Sequence, residues 1–408
     1  MSQTARLIEV LPVETHVGAF PHSEEWRALN QRARTGTMFL GPEWLLPWWD
    51  QFGEGRELAA ICVREGGRLI GLLPLFLESV RLGGVAVKRL AFLGDGQTGC
   101  DYLDVLAESG REREVVELCL SKMMELPWDV CDLDGLWRES YTALQLAHRF
   151  PPERVTESVV RDGRVRFVCP HIPLSGTWEQ YLEGLSRREN LRRREKWLFR
   201  QPGVSVSCAR SPVEAVKATE EFLELHRARW RVEGGSDGLS DARHEAFHRE
   251  ATRNLAEMGT LRMYTLYAAR RPVASVYGVV HGTKFNYYQS GYDPNWAGKS
   301  VGLVLLARTV QDAFAEGHHE FDFLRGNEGY KGEWSRSERW TIQLRLWRGT
   351  RGRVARAALG ASRFAREALK AAVPPRGLEL ARKVRRILRA PPAGENRLSA
   401  AFKILQEP

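Results

Sequence analysis

Between Lys284 and Trp334 the sequence collects groups able to hold phosphate and to move protons. Asp322, Arg325, Glu328, Tyr330 and Lys331 fall within ten residues, around Gly326 and Gly329, and supply carboxylate, guanidinium, phenol and ammonium to one polar loop. Asp322 alternates with Phe321 and Phe323, so on a strand it faces the side opposite those rings, where it could orient or deprotonate an attacking group. The competing reading is a structural Asp322–Arg325 ion pair with Tyr330 merely packed. A second loop holds Asn295, Gly298, Lys299, Ser300 and Gly302 just before an apolar-periodic segment. The unpaired N–H groups of a helix's first turn, with the helix dipole, favour an anion such as phosphate. Any glycine-bearing strand-to-helix loop looks similar, so the spacing alone does not decide.

The elements that must carry these loops can be read from periodicity. Lys284 to Ser290 is rich in Phe and Tyr, as a strand should be, and Gly291, Pro294 and Gly298 end it. Leu303, Leu306, Ala307, Val310, Ala313 and Phe314 recur at helical spacing until Gly317, and His319 to Leu324 is the next strand. Upstream, Thr177 to Arg200 reads as a helix bearing Arg187, Arg188, Arg192, Arg193, Arg194, Lys196 and Arg200: a solvated charged face, or a face for an anionic ligand. Phe222 to Trp230 is a helix with His226 and Trp230 on one face, core or substrate-binding.

The same order occurs earlier. Residues 24–52 look helical and Trp-rich, Leu58 to Arg64 and Leu69 to Glu78 form a hairpin about Gly66 and Gly67, and Val85 to Leu93 is a strand. GDGQTG then reads as a turn, CDYLDVL as another strand, Arg113 to Leu126 as a helix and Trp128 to Leu133 as a strand. WDVCDLDGL answers HEFDFLRG. The expected fold is α/β, with two tandem units of mixed sheet flanked by helices: residues 1–150, a connection over 151–168, residues 169–350, and a basic helical tail over 351–408.

At 408 residues the chain suits two domains. Its six cysteines lie far apart with no C-x-x-C or paired-histidine spacing, which argues for reduced thiols and against zinc or a disulfide frame. No basic-then-apolar leader and no bilayer-length apolar run is visible, so a cytoplasmic protein is expected. Residues 351–408 carry 14 Lys and Arg against 4 Asp and Glu, a net +10 in a chain of +9, leaving −1 on the first 350. The two amphipathic segments there could lie on an anionic membrane at its inner face, or pack on the body. Nucleic acid is disfavoured for want of an aromatic-and-basic motif.

Taken together, SGYDPNWAGKSVGLVLL and AFAEGHHEFDFLRGNEGYKGEW, with FLELHRARW, AFHREATRNL, SRRENLRRREKWL and MFLGPEWLLPWW, resemble the FemAB-like, cellulose-biosynthesis-associated (CelD/BcsL-type) acetyltransferases of the Gcn5-related (GNAT) superfamily. N-x-x-G-x-S at Asn295 to Ser300 resembles that superfamily's pyrophosphate loop; Val301 departs from it, standing where the group usually has Pro. The resemblance implies two GNAT-like domains, with acetyl-CoA or another acyl-CoA held by Asn295, Gly298, Lys299, Ser300 and Gly302 in the second, and no metal. It implies a thioester carbonyl between the Ser290 region and the Phe321 to Leu324 strand, with a backbone N–H on the oxyanion. It also implies that Tyr330 returns a proton to the thiolate and that Lys331 meets developing negative charge. Arg325, His226 and Trp230 would contact the acceptor, and the first unit, without a cofactor, would help form its cleft. The implied activity is N- or O-acyl transfer to a polysaccharide or cell-envelope precursor. Alternatives are a Fem-type aminoacyl transferase using aminoacyl-tRNA, and a non-catalytic scaffold for polysaccharide machinery.

Overall fold

The computed structural model describes residues 13–151, 159–233, 241–326, 328–335 and 337–372. In chain order the strands are β1 (Val13–Val17), β2 (Arg56–Leu58), β3 (Ile61–Glu65), β4 (Arg68–Leu73), β5 (Leu75–Leu82), β6 (Val85–Phe92), β7 (Leu106–Ala107), β8 (Val130–Trp137), β9 (Val159–Pro173), β10 (Ser205–Ala209), β11 (Leu261–Ala268), β12 (Arg271–His281), β13 (Lys284–Tyr292), β14 (Glu320–Asp322) and β15 (Ser337–Arg348). Eleven of them form one sheet in the order β10-β11-β12-β13-β14-β9-β15-β8-β6-β5-β2, and β1-β3-β4-β7 form a second.

Two parallel pairs mark the tandem units. β6 runs beside β8 from Arg89↔Val130 to Ala91↔Asp132, and β13 beside β14 from Lys284↔Glu320 to Asn286↔Asp322. A parallel pair needs a crossover, and helices Glu112–Glu125 and Val301–Ala315 supply it. Each unit then lends a strand to the other: β9 pairs with β14, and β15 with β8, while β9 and β15 pair from Ser337↔His171 to Arg348↔Val159. The exchange makes one continuous sheet of two units.

Helices cover both faces. Pro212–Glu233 and Ala242–Glu257 bury Phe222, Phe247 and Ala251 against Tyr277 and Val279 of β12, in a core shared with Trp26, Trp44 and Trp48 of the first unit. Val301–Ala315 covers the other face, where Val304, Leu305 and Val310 meet Phe285, Tyr287, Phe321 and Phe323.

Several boundaries differ from the sequence reading, each for a local reason. The expected connection at 151–168 contains the start of β9, where Asp162 accepts from Trp347 and Arg356, Arg164 donates to Gln343 and Arg166 to Asp134, so no apolar alternation betrays it. Thr177 to Arg200 is two helices, Trp178–Glu183 and Arg188–Leu198, parted at Gly184. Residues 24–52 are likewise divided, into Ser23–Arg32, a single 3-10 turn and Pro42–Phe52, because Thr37 and Gly41 are extended. CDYLDVL holds only an isolated bridge, Leu103↔Leu136, before β7. The tail begins as helix Gly349–Ala372, and its first half packs on the body: Ala355 is buried beside Val87, Val130 and Trp347, and Arg356 pairs with Asp162 at 2.8 Å. The second amphipathic segment expected at 377–390 lies outside the described residues.

Candidate active site

β13 and β14 part after Asn286 and Asp322. Beyond that point β14's continuation turns to β9, with Phe323 N–H donating to the Pro170 carbonyl at 2.9 Å and Gly326 N–H to the Val168 carbonyl at 3.1 Å. Tyr287 to Tyr292 is left with one edge unpaired by β14. On its other edge the register with β12 slips between Tyr277↔Gln289 and Gly278↔Tyr287, so Tyr288 is a bulge. The bulge puts Tyr287 and Ser290 on the same face despite their odd spacing, and the two hydrogen-bond there. Tyr288 turns to the opposite face, where its hydroxyl donates to the Thr98 carbonyl at 2.7 Å.

The Tyr287 face gathers one constellation. Tyr330, at the start of helix Gly329–Trp334, hydrogen-bonds Tyr287, and Arg229 donates to the Ser290 carbonyl and hydroxyl at 3.4 Å each while lying over the rings of Trp230 and Tyr292. Burial raises the Tyr330 phenol above its usual range, Tyr287 and Glu328 push the same way, and Arg229 opposes them. Lys331 is 4% exposed and donates to the Arg325 carbonyl at 2.7 Å with Glu328 at 3.0 Å, so its ammonium is committed to bracing the loop and not left to meet developing charge. Gly326 (φ 131°) makes the brace fit, since a Cβ there would stand 2.7 Å from Lys331 Nζ.

Asp322 does face away from Phe321 and Phe323, but it is 1% exposed and both oxygens are taken. Oδ2 accepts from the Tyr102 hydroxyl at 2.9 Å and Arg339 at 3.0 Å, and Oδ1 from Leu324 N–H at 2.7 Å. Burial lifts its carboxyl to about 6, against the pull of Arg339. The Asp322–Arg325 ion pair of the competing reading is not formed either. Arg325 instead clasps Asp101 of the first unit, through its backbone N–H (2.9 Å) and Nε (2.8 Å), and also donates to the Cys100 carbonyl. Residues 98–102, around the glycine-rich turn, thus hold the bulge, Arg325 and Asp322 at once. Nothing periodic in the sequence announces these partners; they are contacts over more than 180 residues.

The Asn295 loop is a 3-10 turn, Pro294–Lys299, capped by Asp293, whose carboxylate accepts from Asn295 N–H at 2.9 Å and from its side-chain amide at 3.0 Å. Ser300 (φ 59°) swings the chain into helix Val301–Ala315. Gly298 and Gly302 face open space: a Cβ on either would meet nothing within 4 Å. Lys299 lies 5.0 Å over the ring of Trp197, on the arginine-bearing helix Arg188–Leu198. Of those arginines, Arg187 pairs with Glu333 at 2.7 Å and Arg188 with Glu189 at 3.0 Å, while Arg194 Nε is buried without a hydrogen-bond partner. The expected loop residues therefore sit together, next to the parted strands and beside a cationic helix.

His226 and Trp230 stand on the other side of β13. Gly291 permits this approach: a Cβ there would lie 2.6 Å from His226 N. His226 is buried, and desolvation, with Arg229 nearby, drives its imidazole down to about 3.

Residues 186–332 match the family model of the acetyltransferase (GNAT) domain. Over that segment the chain is similar to GNAT acyltransferases. That segment contains the parted strands, the Asn295 loop and Tyr330. No curated protein matches the sequence. Among solved structures, FemX superposes with a TM-score of 0.55 at 11% identity, over 81% of this chain and 96% of that one. A conserved protein of unknown function from Bacteroides thetaiotaomicron gives 0.51 at 10%, over 83% and 100%, and L-PGS from Bacillus licheniformis 0.50 at 12%, over 86% and 98%. At such identities the likeness is one of fold, and it extends over both tandem GNAT-like units.

Proposed function

We propose that the protein transfers an acyl group from an acyl-CoA, acetyl-CoA being the first candidate, to a nitrogen or oxygen of a polysaccharide or cell-envelope precursor. The observation that carries this reading is the open-faced Asn295 loop leading into a helix beside parted parallel strands with a bulge at Tyr288. The residues present fit a pyrophosphate. Gly298 and Gly302 leave the backbone approachable, the N–H groups of Val301, Gly302 and Leu303 open the helix, and Lys299 and Arg194 bring positive charge. Bound there, an acyl-CoA supplies an activated acyl group and a thiolate leaving group.

The chain's own groups do the rest. The unpaired edge from Tyr287 to Tyr292 offers backbone N–H groups to a carbonyl oxygen gaining charge. Tyr330 holds a proton on the face where the sulfur would depart, and Arg229 is the cation placed to ease release of that proton. Lys331 and Arg325 fix the Tyr330 loop, and Asp322, Tyr102 and Arg339 fix the end of β14. Trp230 lies at the entrance on the acceptor side.

A second reading, an aminoacyl-tRNA donor, is favoured by the exposed Arg192, Arg193, Lys196 and Arg200 beside the same loop. The experiment that separates them is mass spectrometry of small molecules released from the purified full chain, together with direct titration by acetyl-CoA and by aminoacyl-tRNA. A copurifying acyl-CoA, or saturable acetyl-CoA binding, supports the first; tRNA binding without either supports the second.

A further inference from the structure

Five buried polar atoms lie together on the side of β13 away from Tyr330, and none has a hydrogen-bond partner: His226 Nε2, Trp230 Nε1, Tyr277 OH, and both ring nitrogens of His248. His226 and His248 are each 1% exposed, and Tyr277 is fully buried. The rings are contiguous. His226 touches Phe222 (5.7 Å between centroids) and Trp230 (5.9 Å), Phe222 touches Tyr277 (5.6 Å), and Tyr277 touches His248 (5.9 Å). One such atom is an ordinary imperfection; several left unmet together are costly, because each keeps its desolvation penalty. Five in one cluster are unmet hydrogen-bonding groups that water or the polar end of a ligand can satisfy.

Its position assigns it to the acceptor. Gly291 faces His226, whereas its neighbour Ser290 faces the Tyr287–Tyr330 side, because successive residues of a strand point to opposite faces. A nucleophile entering from the histidine side would meet the carbonyl carbon opposite the group that protonates the leaving sulfur. The cluster's chemistry selects the nucleophile. Its imidazoles are neutral, held so first by burial and then by Arg229 and neighbouring histidines, and no carboxylate is among the groups acting on either. An ammonium would lose its hydration without gaining a counter-ion. An uncharged hydroxyl can donate to His226 Nε2 and accept from Tyr277 OH or Trp230 Nε1.

We propose that His226, His248, Tyr277 and Trp230 form the acceptor subsite and that it takes an uncharged carbohydrate hydroxyl, making the reaction O-acyl transfer. The inference rests on the acyl-CoA reading above. In the step, the acceptor oxygen bonds to the acyl carbon and its proton passes to His226 Nε2, which can accept it because an attacked hydroxyl becomes strongly acidic. The carbon–sulfur bond breaks and sulfur takes the Tyr330 proton; His226 then loses a proton to solvent and Tyr330 regains one.

The test uses the full chain, acetyl-CoA, and two probes, methyl glucoside and methyl 2-amino-2-deoxyglucoside, with thiol release as readout and calorimetry for acetyl-CoA binding. The proposal expects release with the glucoside, a product cleaved by hydroxylamine as an ester is, and on the order of a hundredfold loss in His226→Phe with acetyl-CoA affinity unchanged. His226→Asn, which keeps an acceptor atom, should recover part of the loss. An amide product, unchanged release in His226→Phe, or no release with either probe while acetyl-CoA binds, overturns the subsite and leaves the donor reading standing. Failure of acetyl-CoA to bind overturns both. Independently of any variant, nitrogen NMR of the histidines should show His226 and His248, which face Arg229, Tyr277, Tyr288 and His244, neutral down to pH 5, with the half-buried His281 beside Lys284 as a third; titration of all of them near 6.5 would contradict it.

Discussion

Arg325→Ala removes the clasp between the two units, and its cost can be worked from the contacts. Asp101 is fully buried, and Arg325 supplies it with a guanidinium bond at 2.8 Å beside the backbone bond at 2.9 Å, while also capping the Cys100 carbonyl and lying 4.2 Å over Phe167. Breaking one side of a buried pair strands the other charge, which costs about 3–5 kcal/mol. Arg325 keeps a solvent-facing edge, so the lower end, about 3 kcal/mol, is expected. Removing both charges with Asp101→Leu and Arg325→Met strands neither and should cost less than Arg325→Ala alone. The sign with pH follows from Asp101, whose carboxyl burial already raises above its unfolded value against the pull of Arg325. Without the arginine it rises further, the folded state binds the proton more tightly than the unfolded one, and the deficit shrinks as pH falls toward 5. Urea unfolding followed by tryptophan fluorescence at pH 7.5 and pH 5 reads all three quantities. A loss below about 1 kcal/mol, or a double variant as damaged as the sum of its singles, would refute the reasoning.

Tyr330→Phe should lower acetyl-CoA turnover on the order of a hundredfold with binding kept, measured as thiol release; near wild-type turnover removes Tyr330 from the proton path. His226 and His248 are held near 3 when folded against 6.5 unfolded, so the unfolded state takes up protons first and stability drains away as pH falls below 6.5; His248→Phe should flatten that slope, seen in thermal melts from pH 7.5 to 5. The chain cut after Ala372 serves as the reference. Cutting after Gly349 uncovers Trp347, Val87 and Val130 and should cost on the order of 3 kcal/mol, and equal stability of the two truncations would count against helix Gly349–Ala372 as part of the body.

What was legible in the sequence followed periodicity. Lys284 to Ser290, the apolar stripe from Leu303 to Phe314 and the short strand before Leu324 each carry their own local pattern, and the structure has them as β13, helix Val301–Ala315 and β14. β9 escaped because a half-exposed strand with charged residues on both faces has no alternation to read. The site divided in the same way. Asn295 to Gly302 is one continuous loop, so its grouping was visible, but the partners of Asp322 and Arg325 were not, because Tyr102, Arg339 and Asp101 reach them only once the two units exchange strands. Arg229 lay inside the legible helix Phe222 to Trp230, and only the bulge at Tyr288, which turns Ser290 toward it, shows its place.

The donor site is the central claim, and Gly298 and Gly302 give it a clean probe. Neither has a positive φ and neither would bring a Cβ against any atom, so valine at either position leaves the fold intact while filling the open face of the loop. Calorimetric titration of acetyl-CoA into the full chain and into Gly298→Val and Gly302→Val, each checked by its melting temperature, is the most direct measurement. The account predicts saturable binding by the native protein and a loss of at least tenfold in both folded variants, about 1.4 kcal/mol or more. Undiminished binding in both would contradict it.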